Sequence, residues 1–195
     1  MVEEASMLSA ESHNWPDRSK LPRLAPEMQF PPYSYVTGRF PHPLRDAEGH
    51  AYGKPVVGAA PLDPADWRPC DAYCQAIDLF NHGFYWEAHE AWEQVWIALG
   101  RTGETANFVK GVIKLAAAGV KAREGRANGV QRHGQRAEQL IRLTAGLSKA
   151  GEQYAGLELQ ELIRISQALI RAPEEFVDRS DDPVKIVLPP LVCHG

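Results

Sequence analysis

The residues best suited to chemistry lie in one segment, residues 80–96, which reads FNHGFYWEAHEAWEQVW. His89 and Glu93 are four residues apart, so on a helix they share a face and can touch. An imidazole beside a carboxylate suits proton transfer or metal binding. We therefore take His89 and Glu93 as candidate catalytic residues and metal ligands, and Glu90 as a third candidate catalytic residue.

Four large aromatic residues surround this pair on the same predicted helix: Tyr85, Trp86, Trp92 and Trp96. At about 100° per residue, His89 and Glu93 fall where the apolar face of the helix meets its polar face. The aromatic side chains could then line a ligand pocket. In the alternative interpretation they are core residues, and the His–Glu pair only satisfies buried polar atoms. Glu87 points nearly opposite the apolar face and is expected to be solvated.

Two ligands are too few for a catalytic zinc or iron site, which needs at least three. Further candidates are His82, one helical repeat before His89, and His42 and His50 in the N-terminal region. Prolines flank His42, and glycines bracket His50, so both could be presented to a nearby surface. A metal site predicts that His42 or His50 lies within ligand distance of His89. The cofactor is otherwise unknown, a divalent metal being the candidate.

The prolines show which part of the chain can supply helices to position this segment. Eleven of the fifteen prolines lie at or before Pro69, and the next is Pro173. Proline breaks helices, so residues 1–62 cannot form a helical bundle, whereas residues 70–172 can. Glycines and other helix-end signals divide that stretch into five predicted helices, at residues 70–81, 84–99, 104–124, 127–148 and 157–171.

The predicted fold class is all-α, a compact bundle of about five helices with an extended, proline-rich N-terminal arm packed on it. Residues 1–20 are polar and expected to be disordered. Residues 21–69 form the arm, which is too apolar for a free linker. Residues 70–172 form the helical domain, and residues 173–195 an extended C-terminal tail. In the third helix, small residues at 111 and 116–119 predict close approach of a neighbouring helix.

Three short motifs resemble a known family. Residues 79–96 are similar to the signature of the bacterial and archaeal family called domain of unknown function 309. Residues 110–116 resemble its second motif, and residues 124–130 resemble its third. In the third motif the family's usual Gly-Ala is Gly129-Val130 here, and no histidine follows the small-residue run of the third helix, which argues against a site that draws a ligand from there. The resemblance implies a small multihelical domain and no established activity.

The sequence is compatible with functions of three different classes. The first is a small-molecule or metal-binding site at His89, Glu93 and Glu90, suited to a metal-assisted or acid/base reaction. The second is a protein-interaction module, because residues 83–95 also resemble the second helix of a tetratricopeptide hairpin. The third is anion binding by a cationic stripe on the third and fourth helices, although no phosphate-loop motif is present. That stripe consists of Lys110, Lys114, Arg132 and Arg136. The residues do not decide whether the protein is an enzyme.

The composition argues against two classes of partner, nucleic acids and membranes. The net charge of −4 and pI near 6.0 argue against nucleic acid. Mean hydropathy is −0.35, and no apolar run approaches the ~20 residues of a membrane span. The first residues lack the features of a secretory signal, and three cysteines suit reduced thiols, so a cytoplasmic location is expected. The expected partner is a small molecule or a protein, and exchange of the arm between chains would give a homodimer.

Overall fold

Five α-helices build the part of the protein that the structure describes, as the sequence predicts. A computed structural model describes residues 20–147 and 153–194. The expected disorder of residues 1–20 falls almost entirely outside the described residues. The helices are α1 Asp71–Asn81, α2 Tyr85–Ala98, α3 Glu104–Arg123, α4 Ala127–Leu147 and α5 Leu159–Arg171, and a 3₁₀ turn follows at Pro173–Phe176. Within the described residues, no helix combines the length and the apolar character needed to span a membrane.

Consecutive helices pack on one another, α1 on α2, α2 on α3, α3 on α4 and α4 on α5. Glycines with positive φ end the helices, including Gly83 (φ 88°) after α1 and Gly125 (φ 74°) after α3. Only glycine adopts this left-handed conformation without steric cost, so the chain turns sharply and the next helix runs back along the last one.

The small residues of α3 allow the close approach that the sequence predicts. A Cβ atom added at Gly119 would lie 2.5 Å from ring atoms of Tyr85 in α2. A Cβ atom at Gly111 would lie 2.9 Å from the side chain of Ile141 in α4. Helix α3 therefore packs closely against α2 on one side and α4 on the other.

The fifth helix begins two residues later than predicted. Strands β1 Gln153–Tyr154 and β2 Leu157–Glu158 form a short antiparallel hairpin before it. Ala155 (φ 47°) and Gly156 (φ 80°) form its two-residue turn, and both have the positive φ of a type I′ turn. Leu157 also bridges to Cys193, which attaches the C-terminal tail to the hairpin.

The arm packs on the helical domain through polar contacts as well as apolar ones. The carboxylate of buried Asp78 in α1 accepts hydrogen bonds from the backbone amides of Leu24 (3.0 Å) and Ala25 (2.9 Å). Arg23 forms an ion pair with the same carboxylate, at 3.3 Å. These contacts fix the start of the arm, whose later residues then reach α2.

Candidate functional site

Helix α2 places the candidate residues His89, Glu90 and Glu93 beside its stripe of buried residues. Ala88, Trp92 and Val95 are fully buried in the core. His89 and Glu93 each follow a buried residue by one position, which turns them about 100° away from it. The two side chains are accordingly only partly buried and lie at the edge of the core.

The side chains of His89, Glu90 and Glu93 converge. One ligand atom from each lies within 4.8 Å of the other two. Nδ1 of His89 is 3.2 Å from Oε1 of Glu90. Protein ligands bind zinc at ~2.0–2.2 Å, so small rotations of two partly exposed glutamates would bring all three atoms around one ion. In the part of the chain that the structure describes, no other three His, Cys, Asp or Glu side chains approach one another in this way.

A cavity of about 320 Å³ opens beside His89, and we call it the histidine cavity. The arm, α2, α3 and α4 all contribute to its walls. The side chains relevant to chemistry are those of Tyr35, Trp86, His89, Lys114, Lys121 and His133. Two histidines and two lysines from three helices therefore face the same space.

His133 is a cavity residue that the sequence analysis did not name as a candidate. It lies three residues after buried Val130 and four before buried Ala137 in α4. This spacing places it on the helix face that points into the bundle. The available signal was a histidine on the apolar stripe of the fourth helix, opposite the small residues of the third.

The charges around the cavity perturb both His133 and Lys114. Burial, followed by the positive charges of Lys114 and Lys121, lowers the pKa of His133 from 6.5 to about 4. The ring is therefore neutral at pH 7 and can accept a hydrogen bond. Burial and then the like charge of Lys110 lower the pKa of Lys114, while Glu93 opposes this shift. The cavity thus combines a neutral imidazole with a partly desolvated ammonium group.

The structure does not bring His42 or His50 into the group around His89. Nε2 of His50 lies 3.2 Å from Oε1 of Glu87. The ring of His42 packs edge-on against the Trp86 ring, with their centroids 5.6 Å apart. Nδ1 of His42 accepts a hydrogen bond from the backbone amide of Leu44. Both histidines hold the arm in place, and the arm contributes Tyr35 to the cavity wall instead.

His82 also lies away from this group. Its Nδ1 is 2.7 Å from the backbone carbonyl oxygen of Asp78, and its ring packs against Phe30 of the arm. The imidazole therefore closes the end of α1 and is not directed towards His89.

Glu87 is buried, and the expectation that it is solvated is wrong. Its carboxylate accepts hydrogen bonds from the Ser34 hydroxyl and the Tyr35 backbone amide, both at 3.0 Å, in addition to the His50 contact. The face of α2 opposite the core is covered by the arm. The helical periodicity was correct, but it could not reveal a second covered face.

The aromatic residues predicted to line a ligand pocket divide into two groups. Tyr85 and Trp92 are buried in the core, and the Tyr85 hydroxyl accepts hydrogen bonds from two amides of the C-terminal tail. The ammonium group of Lys110 lies over the Trp96 ring, 4.7 Å from the ring centroid. Of the four, Trp86 is the one that lines the histidine cavity.

Residues 73–133 match the model of the family described as Domain of unknown function (DUF309). This segment of the chain is similar to that family. The match confirms the family resemblance predicted from the sequence. No curated protein and no solved structure gave a significant match.

The DUF309 match covers α1, α2, α3 and the first part of α4, and it ends at His133. It therefore contains the α2, α3 and α4 walls of the histidine cavity, while Tyr35 and the rest of the arm lie outside it. All the candidate ligands on α2 fall inside the matched segment: His89, Glu90 and Glu93.

Proposed function

We propose that this protein binds a divalent transition-metal ion through His89, Glu90 and Glu93, for metal-assisted acid/base chemistry at the histidine cavity. The single observation that carries the proposal is the convergence of these three side chains, with one ligand atom of each within 4.8 Å of the others. An imidazole and two carboxylates form a mixed nitrogen and oxygen donor set, which suits zinc, manganese or iron(II).

The spacing of the ligands has a chemical precedent. In the H-E-x-x-H motif, the first and last residues bind zinc from one face of a helix. Here the segment from His89 to Glu93 reads HEAWE, so a histidine and a glutamate occupy those two positions. Glu90, next to His89, supplies a third donor from the same helix. All three ligands would therefore move together as one rigid element.

The surroundings favour a site that is open to a substrate. Three protein ligands leave a tetrahedral ion one position for water, which is the arrangement of catalytic rather than structural zinc. His89 lines the histidine cavity, so a small molecule could reach such a position. A bound metal supplies a lowered pKa for its water. The neutral ring of His133 lines the same cavity and could accept a hydrogen bond there.

The contacts of His89 favour this function over the protein-interaction module. That alternative predicts that His89 is hydrogen-bonded to backbone, as a structural core histidine would be. The hydrogen bond described for the ring is instead with the side chain of Glu90, and the ring lines a cavity. The tetratricopeptide-like interpretation of residues 83–95 stays a prediction without such support.

Metal content of the untagged protein tests the proposal. We expect about one equivalent of zinc, manganese or iron per chain by elemental mass spectrometry after dialysis against buffer with one of these ions. His89→Ala should lose it, because a carboxylate pair alone binds such ions weakly. His194→Ala is the matched control, since that histidine is 45% exposed on the C-terminal tail.

Retention of the ion by His194→Ala and its loss from His89→Ala would support the site. Equal metal content in both variants, or no metal in the unmodified protein, would contradict it. Circular dichroism of His89→Ala separates loss of the ion from loss of the fold.

A further inference from the structure

A second and larger cavity lies beside the histidine cavity. A cavity of about 610 Å³ lies at the start of α4, and we call it the α4 cavity. Lys121 and His133 line both cavities, so the two spaces adjoin at these side chains. The two cavities together, which we call the joined volume, extend from His89 to the beginning of α4, and each is large enough for a small molecule.

The charge of this joined volume is opposite to that of the whole chain. The protein has a net charge of −4. Four cationic side chains nevertheless line the two cavities, against two carboxylates, Glu124 and Glu174. The cations are Lys114, Lys121, Arg126 and Arg132. A concave surface with excess positive charge concentrates anions from solution.

The cations are only partly neutralised. The Glu124 carboxylate forms ion pairs with both Lys121, at 2.7 Å, and Arg126, at 3.5 Å. One negative charge therefore faces two positive ones. Among the described residues, the side chains of Lys114 and His133 have no hydrogen-bond or ion-pair partner. The neighbouring groups that lower the pKa of His133 are Lys114, Lys121, His89 and Arg132, each cationic or a second imidazole. The cavity thus brings like charges together and leaves donors free.

We propose that the histidine cavity binds a phosphate-type oxyanion, held by Lys114 and Lys121 beside the His133 ring. An oxyanion would supply the negative charge and the acceptors that the surrounding protein does not. Arg132 and Arg126 extend the same field into the α4 cavity, where the organic part of a phosphate ester has room. Lys110 takes no part, because its ammonium group lies on the Trp96 ring.

This inference goes beyond the proposed function, because the anion is a second ligand whose binding does not need the metal. Its consequence for substrate class does rest on the proposed function. His89 lines the cavity that holds the anion, so a metal on His89 and a phosphate on Lys114 would be neighbours. A phosphate ester is then the class of substrate that the metal site would act on.

Calorimetric titration of the full-length, metal-free protein with inorganic phosphate tests the inference, in a phosphate-free buffer of low ionic strength. We expect saturable binding at one site per chain. Lys114→Gln should weaken it about tenfold, the loss of one charge-assisted hydrogen bond. Lys110→Gln is the matched control, one helical turn earlier on α3, and should change the affinity less than about twofold.

Two outcomes would overturn the inference: no saturation by roughly 10 mM phosphate, or equal weakening in Lys114→Gln and Lys110→Gln. Equal weakening would mean that phosphate responds only to overall charge. Lys114→Arg, which keeps the charge, should bind phosphate better than Lys114→Gln and so excludes a folding defect. Lys114→Gln should still bind zinc, and Glu93→Gln should still bind phosphate, so either proposal can fail alone.

Discussion

At the scale of single residues, a core residue and a candidate ligand are direct neighbours on α2. Trp92 is fully buried and packs on Phe80, with ring centroids 5.8 Å apart. Glu93, the next residue, is partly exposed and belongs to the converging group around His89. Substitutions at these neighbouring positions should therefore affect different properties, stability at Trp92 and ligand binding at Glu93.

Trp92→Ala should lower the free energy of unfolding by ~3–5 kcal/mol, because it leaves a large cavity in a closely packed core. Urea unfolding followed by circular dichroism measures this. Trp86→Ala, at the partly exposed edge of the same helix, is the control and should cost less. A loss at Trp92 no larger than that at Trp86 would mean that the assigned core face is wrong.

Acid should destabilise the metal-free protein through His133. Its pKa is about 4 in the folded chain against 6.5 normally, so between these values the unfolded chain binds the proton more readily. Stability should therefore fall as the pH drops from 6.5 to 4, and this contribution is absent above 6.5. The groups facing His133 are Lys114 and Lys121 on α3, His89 on α2 and Arg132 on α4 itself.

His133→Gln removes this acid sensitivity and should gain stability relative to the unmodified protein as the pH falls. Urea unfolding of both proteins at pH 7.5, 6 and 5 gives the difference at each pH. A difference that is the same at all three values would show that His133 titrates normally in the folded protein.

At the scale of elements, the contact between α2 and α3 holds the site together. Gly119 lets α3 approach the Tyr85 ring, and this approach brings Lys114 and Lys121 alongside His89. The order of the helices and the close approach at Gly119 could be predicted from prolines, glycines and small residues. The hairpin before α5 could not, because two-residue strands leave no periodicity to detect.

Gly119→Ala should destabilise the protein by ~1–3 kcal/mol, although alanine is the better helix former by ~1 kcal/mol. The reason is the added methyl group, which would lie 2.5 Å from the Tyr85 ring. Gly146→Ala in α4 is the matched control, since nothing lies within 4 Å of its added Cβ. Thermal unfolding should show the first variant to be less stable and the second unchanged or more stable. Similar behaviour of the two would contradict the close contact.

At the scale of the whole molecule, the arm is part of the candidate site. Glu87 accepts hydrogen bonds from the arm at Ser34 and Tyr35, and Tyr35 lines the histidine cavity. In the chain described here the arm packs on its own helices, and a homodimer formed by arm exchange stays a prediction. The sequence could predict a packed arm from its apolar residues. It could not identify Glu87 as the attachment, because a glutamate on a helix is usually solvated.

Glu87→Ala should loosen the arm, because it leaves two donors and the His50 ring without their acceptor. We expect trypsin to cleave after Arg45 about tenfold faster, as measured by mass spectrometry. Glu48→Ala is the control, since Glu48 is an exposed acid on the arm itself. Equal cleavage rates in the two variants would mean that Glu87 does not hold the arm.

The candidate site itself could be predicted only in part. The i, i+4 spacing of His89 and Glu93 places them together on α2 whatever the rest of the fold does. Lys114 and His133 come from two other helices, and their meeting with His89 depends on how α3 and α4 pack. His42 and His50 were natural candidates by residue type, yet both hold the arm instead.

Metal binding by the α2 group is the central claim, and calorimetric titration of the metal-free protein with Zn²⁺ tests it most directly. We predict one saturable site per chain at pH 7, with affinity at least about tenfold weaker in Glu93→Gln, which removes a charged ligand while keeping its shape. Gln94→Ala, the next residue on α2, should bind like the unmodified protein. No saturable binding, or the same affinity in Glu93→Gln, would contradict the claim.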